Sequence, residues 1–201
     1  MAAIKSVTRG TLKEVQKAVP REASYTRGIK QAIEKKVEAA QKNLLQDFEK
    51  HAVTAEIEGG ASASNLSGTL GGIGNLFTYI GFSSGDKPLT ILRVLLEQYE
   101  IRYHHAKGRT TINITVPTST ELFKATPMPW ATGRSWAKGI ETGISGLGRY
   151  LYQNSANSRS GGAVQVKGRL RAGKFSNTSY LSSILNNYYK EIRKIEKETI
   201  T

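Results

Sequence analysis

From residue 24 to about residue 51 the apolar side chains Ile29, Ile33, Val37, Ala40, Leu44 and Phe48 recur at steps of four, four, three, four and four, with lysine, glutamate and glutamine filling most positions between them. That period places every apolar group on one stripe of a helix. At 1.5 Å per residue such a helix is about 42 Å long and needs a partner along its whole dry face. Glu34, Lys35, Lys36 and Glu38 fall on the wet side, as solvated groups rather than catalytic ones. A second stripe closes the chain. In "NTSYLSSILNNYYKEIRKIEKE" Leu181, Ile184, Leu185, Tyr188, Ile192 and Ile195 share one helical face, and Asn177, Thr178 or Ser179 can serve as its N-cap.

Between the two helices the pattern changes. "YEIRYHH" and "TTINITVP" are rich in aromatic and β-branched residues and flank "AKGR", which predicts a β-hairpin with Ile112, Ile114 and Val116 on its buried face. "DKPLTILRVLLEQ" predicts a short helix with Asp86 near its start, Pro88 in its first turn and Leu89, Leu92, Leu95 and Leu96 as its buried stripe. Residues 119–125 predict a helical turn that the prolines of "TPMPW" bring to an end. Strand-like runs are expected at 137–140, 149–152 and 163–166, with Glu141 of "KGIETG" in a hairpin. The resulting class is α+β: a small, mostly antiparallel sheet with a long N-terminal helix, a C-terminal helix and an extended arm and loop. Residues 1–23 read as a basic N-terminal arm with a weak helical repeat from Leu12 to Val19, and 24–201 as a single α+β domain.

The segment "EIEGGASASNLSGTLGGIGN" is built of residues that favour turns and positive φ, so 59–85 is expected as a long glycine-rich loop. It does not have the makings of a phosphate cradle. A Walker loop needs Lys followed by Ser or Thr after its last glycine, whereas Gly74 is followed by Asn75, Leu76 and Phe77. A dinucleotide fingerprint needs a strand before it, and "ASASNLS" stands there. The remaining reading is geometric: tight backbone, then the apolar peg Leu76, Phe77, Tyr79, Ile80 and Phe82.

Catalytic chemistry is poorly supplied. The three histidines are His51, His104 and His105, and the last two are adjacent on an expected strand, where they face opposite ways. Asp47 and Asp86 are the two aspartates, and no cysteine is present, so no thiolate metal site or disulfide can form. The chain is expected not to be an enzyme and to need no cofactor or metal. Residues 1–23 lack the apolar middle of a signal peptide, and no run approaches the roughly 18 apolar residues of a membrane span, so a soluble chain made in the cytoplasm and free of membrane is expected.

Charge is the stronger signal. The net charge is +13, and it is uneven: residues 1–50 carry 11 cations and 6 anions, 51–100 carry 2 and 5, 101–150 carry 7 and 2, and 151–201 carry 9 and 3. The glycine-rich quarter is thus the one acidic part of a basic chain. Arg102, Lys107 and Arg109 surround the hairpin tip, and "VKGRLRAGK" gathers Lys167, Arg169, Arg171 and Lys174. Such loops suit a phosphate backbone or an acidic protein surface, without base reading, since no recognition module is visible.

In this order the motifs resemble the tail-completion proteins at the head-to-tail neck of tailed bacteriophages. The matching parts are the helix over 24–51, "SGTLGG" at 67–72, strands at 99–104 and 110–116, "IETG" at 140–143 and "KFSNTSYLSSIL" from Lys174. The stretch "HAVTAEIEGGASASNLSGTLGGIGNLFTYIGF" is similar to one in neck proteins of contractile-tailed phages. The resemblance spans residues 24–195; the aromatic stretch 76–82 and the helix 89–98 depart from the commoner pattern. It implies a virion structural protein, a homo-oligomeric ring of about six or twelve copies that joins head connector to tail around the DNA channel. Its partners would be adjacent neck, connector and tail proteins and, nonspecifically, genomic DNA. A tail terminator or tail-tube initiator ring, and a nonspecific nucleic-acid-binding protein, are the alternatives. On this reading the peg residues Leu76, Phe77, Tyr79, Ile80 and Phe82 bury against an adjacent subunit. Arg102, Lys107, Arg109, Lys167, Arg169, Arg171 and Lys174 face a channel or an acidic partner.

Overall fold

A computed structural model of the chain describes residues 4–5, 11–18, 23–70, 74–106, 109–143 and 176–200. It is an α+β protein, as the sequence predicts. Its described elements are, in order, β1 (Ile4–Lys5), β2 (Thr11–Ala18), α1 (Ala23–Lys50), α2 (Ala52–Glu58), a 3-10 turn (Gly60–Ser62), α3 (Leu76–Ile80), α4 (Thr90–Leu96), β3 (Glu100–Ala106), β4 (Arg109–Thr115), α5 (Ser119–Lys124), β5 (Pro127–Met128), β6 (Ala131–Ser135), α6 (Trp136–Thr142) and α7 (Leu181–Ile200). By contact the chain divides into two compact units. One comprises Met1–Glu49, Leu92–Leu122 and Leu181–Thr201, the other Lys50–Ile91 and Phe123–Tyr180.

In the first unit α1 buries Ile33, Val37, Ala40, Leu44 and Phe48, and α7 buries all six residues of its predicted stripe. Two side-chain bonds hold these helices side by side: Tyr188 donates its hydroxyl to Gln41 Oε1 at 2.7 Å, and Asn43 Nδ2 donates to the Glu191 carboxylate at 3.2 Å. Gln41 is itself buried and donates its Nε2 to the Leu96 carbonyl at the end of α4, so both ends of a buried amide are satisfied. The sheet runs β1-β2-β4-β3, antiparallel throughout. The expected hairpin pairs Glu100 with Thr115 at its open end and Ala106 with Arg109 at its tip. Ile112, Ile114 and Val116 are buried, and Tyr103 reaches from β3 to Glu34 on α1 at 3.2 Å, which places the helices on that face.

Two expectations change here. Thr11–Ala18, within the segment read as an arm with a helical repeat, is a strand paired with β4 along most of its length. The exposed side of β4 supplies unpaired amides, and satisfying that row outweighs a weak local preference. The run 137–140, expected as a strand, belongs to helix α6. Ser135 caps it by accepting from the Lys138 amide at 3.0 Å, and Trp136, Ala137, Gly139 and Ile140 are buried. Glu141 accordingly sits on a helix, not in a hairpin. The strand-like runs at 149–152 and 163–166 lie outside the described residues.

In the second unit His51 is the N-cap of α2, its Nδ1 accepting from the Val53 amide at 3.2 Å while its ring lies 4.9 Å from that of Tyr180. Partial burial holds its pKa below the ordinary imidazole value of 6.5, against an opposing hydrogen bond with the Ser179 backbone and the Glu141 charge. A group with a depressed folded-state pKa contributes stability above its unfolded value and loses it as pH falls through the folded one. The denaturation midpoint of this unit is therefore expected to drop as pH falls below the ordinary imidazole value, before carboxylates titrate, and His51→Asn, which keeps an acceptor at the cap, should flatten that part of the profile. A midpoint unchanged over that range would contradict the role of His51 as a deprotonated cap.

Candidate functional site

The glycine-rich segment is organised around one side chain. Glu56, on α2, is fully buried; its Oε2 accepts from the Ser67 amide at 2.8 Å and its Oε1 from the Leu76 amide at 2.7 Å. One carboxylate thus fastens both Ser67 and Leu76. Asn75 completes the closure as N-cap of α3, donating to the Ala61 and Ala63 carbonyls at 2.8 and 3.0 Å and accepting from the Thr78 amide at 2.9 Å. The glycine requirement is local: Gly81, which ends α3, has φ +96, and a Cβ there would lie 3.1 Å from the Trp130 ring. Trp130 in turn donates its indole N–H to the Ile80 carbonyl at 2.7 Å.

The expected subunit-interface peg is used inside the chain instead. Leu76, Phe77 and Ile80 are buried in this unit, and Tyr79 and Phe82 are half-buried. Phe82 lies 5.3 Å from the Phe77 ring and edge-on to Trp136 at 5.8 Å, and Trp136 continues to Tyr180 at 6.4 Å. With Leu76, Phe77 and Ile80 almost fully covered, those three have no apolar area left for a neighbour, and the interface role is withdrawn for them; Tyr79 and Phe82 keep part of their surface. The physical reason is Glu56. By supplying acceptors for the loop amides it lets an irregular segment fold inward and carry its apolar residues with it.

Three short motifs, far apart in sequence, meet in this unit. Thr69 of "SGTL" and Thr178 of "SNTSYL" join hydroxyls at 3.0 Å, and the Ser176 amide donates to the Thr69 carbonyl at 2.8 Å. The Thr178 amide donates to the Ile140 carbonyl at 3.1 Å, and Glu141 of "IETG" accepts from the Tyr180 amide at 3.3 Å. Tyr180 and Thr54 share a buried hydroxyl pair at 2.9 Å.

Of the basic residues, Arg102 is exposed on β3 and its Nε donates to Glu100 Oε1 at 2.6 Å. Arg109 begins β4, opposite Ala106. Lys107, Lys167, Arg169, Arg171 and Lys174 lie outside the described residues, so the second basic cluster has no described geometry. Asp86 accepts from the Ser83 amide at 2.7 Å, closing a turn ahead of α4 rather than capping it. Among the described residues no three His, Asp or Glu side chains gather as a metal site, and no helix is long and apolar enough to cross a membrane.

A surface that sequence reasoning missed lies in the first unit. A cleft of about 340 Å³ is lined by Leu95, Gln98, Tyr99, Glu100, Thr115, Val116, Pro117 and Glu121. Its walls are fixed: Thr118 and Glu121 form a capping box at the start of α5, Glu121 Oε2 accepting from the Thr118 amide at 2.9 Å, and Tyr189 donates to the Pro117 carbonyl at 2.7 Å. Of its lining, Tyr99 is 37% exposed, and in the same unit Val94 of α4 is 48% exposed. In the sequence the only trace is that α4 carries apolar residues beyond one stripe. Glu56 was also missed, although its position three after Val53 and one before Ile57 puts a carboxylate on the dry face of α2.

No protein-family model, no curated protein and no solved structure matches the chain.

Glu56→Gln tests the clamp. An amide offers one acceptor oxygen where the carboxylate offers two, so either the Ser67 or the Leu76 amide is orphaned, at a cost of about 2 kcal/mol. Urea denaturation should show that loss, with faster hydrogen exchange confined to the segment around 67–76. Unchanged stability and exchange would refute the assignment.

Proposed function

We propose that the chain is a ring-forming structural subunit of a tailed-phage particle, a neck or tail-completion protein between head connector and tail, with no catalytic role. The observation that carries this reading is the convergence of "SGTL", "IETG" and "SNTSYL" in one hydrogen-bonded network. These are motifs on which the resemblance rests, and their meeting makes them parts of one structural device rather than separate short coincidences. The order of helix, loop, hairpin and closing helix supports the same reading. With the aromatic stretch turned inward, contact between copies falls to other surfaces, and the partly exposed apolar residues Val94 and Tyr99 in the first unit are available for it.

The charge of +13 favours a second reading, a protein that binds nucleic acid nonspecifically. Light-scattering mass on a size-exclusion column, at low and high salt and with and without duplex DNA, separates the two. The ring reading predicts a discrete oligomer, an integral multiple of the chain mass, with little DNA carried by it. A monomer that binds DNA tightly and releases it with a steep logarithmic salt slope would overturn it.

A further inference from the structure

We propose that the outer edge of β3, together with the cleft at its start, is a docking strip for an extended, lysine- or arginine-bearing segment of a second copy of this chain. The strip rests on the self-assembling reading above and adds to it a surface and the chemistry of what fills that surface.

The first support is the sheet order. Among the described residues β3 is the end strand of β1-β2-β4-β3, and each of its seven residues is in register with β4 and with no other described strand. Alternate residues of an end strand turn their N–H and C=O groups away from the sheet, and such a row is a template for another extended chain. Strand addition of this kind draws affinity from backbone bonds and specificity from pockets that take individual side chains. A pocket stands where β3 begins. Glu100, the first residue of the strand, and its partner Thr115 both line the cleft.

The second support is the chemistry of that cleft. Leu95, Tyr99, Val116 and Pro117 give it apolar walls, and Glu100 and Glu121 put carboxylates on it. Apolar walls with an acidic rim suit a long aliphatic stem that ends in a cation, the stem lying on the walls and the charge on the carboxylates. Glu100 already pairs with the exposed Arg102, in a contact that an incoming cation can join or displace.

The third support is the distribution of charge within the sequence. Residues 51–100 sum to −3, and residues 1–50, 101–150 and 151–201 sum to +5, +5 and +6. The cleft itself carries Glu100 and Glu121, so a second copy of a chain that is basic outside 51–100 presents the complementary sign on most of its length. A strip on one copy and a basic segment on the next make a heterologous contact, the kind that closes into a ring.

The test is hydrogen exchange read by mass spectrometry on the full chain, at concentrations below and above those at which light scattering detects association. The strip predicts slowed exchange over 100–106 in the associated protein. Glu100→Lys should weaken association by tenfold or more and abolish that protection, with its melting temperature unchanged; Thr115→Arg, which fills the cleft from within, should do the same. Association with exchange over 100–106 unchanged would overturn the strip and leave the ring reading standing. A chain that stays monomeric at every concentration would overturn both.

Discussion

The Glu56 carboxylate is the constraint on which the second unit depends. An irregular segment with many glycines has few ways to satisfy its own amides, and a buried amide without an acceptor costs as much as a lost hydrogen bond. Placing one carboxylate on the dry face of α2 gives Ser67 and Leu76 their acceptors at once. The burial of Leu76, Phe77 and Ile80 follows, and with it the aromatic run from Phe77 through Phe82 and Trp136 to Tyr180. What looks in the sequence like a flexible excursion ending in an exposed peg is, in three dimensions, a closed loop that feeds a core. In the first unit a neutral group plays the corresponding part: Gln41 uses its amide oxygen on Tyr188 and its amide nitrogen on Leu96, which ties the two long helices to the end of α4.

The functional consequence is a change in where contact between copies is to be sought. Leu76, Phe77 and Ile80, buried in their own unit, cannot also serve a neighbour. Among the described residues the large apolar side chains left exposed are Leu66, Ile91, Val94 and Tyr99, and Tyr99 lines the cleft at the open end of the hairpin. That end of the first unit combines a strand edge with no partner among the described residues, a cleft with two carboxylates and the partly exposed Tyr99, features that separately are common and together carry the docking proposal. On the proposed reading, the Glu100 and Glu121 carboxylates of the cleft are what a chain of net charge +13 would meet there.

The two long helices and the hairpin were readable from sequence because each carries its own period, 3.6 or 2, over enough residues to leave little choice. Thr11–Ala18 was not, since Leu12, Val15, Ala18 and Val19 are spaced as on a helix and the strand owes its existence to β4. Helix α6 was mistaken for a strand because seven residues hold barely two helical turns, and the deciding groups are the Ser135 cap and the packing of Trp136. The peg was misplaced for a different reason. Hydrophobicity says that Leu76, Phe77 and Ile80 are covered, but only the position of Glu56 says by what. The cleft draws residues from α4, both hairpin strands and α5, and no local pattern announces such a meeting.

The central claim is that this chain assembles with itself into a closed structure. Electron microscopy of the purified full-length chain, concentrated to the point where association is complete, tests it most directly. The account predicts class averages of closed rings with a central opening and one dominant copy number. Isolated monomers at every concentration, or open filaments without closure, would contradict it.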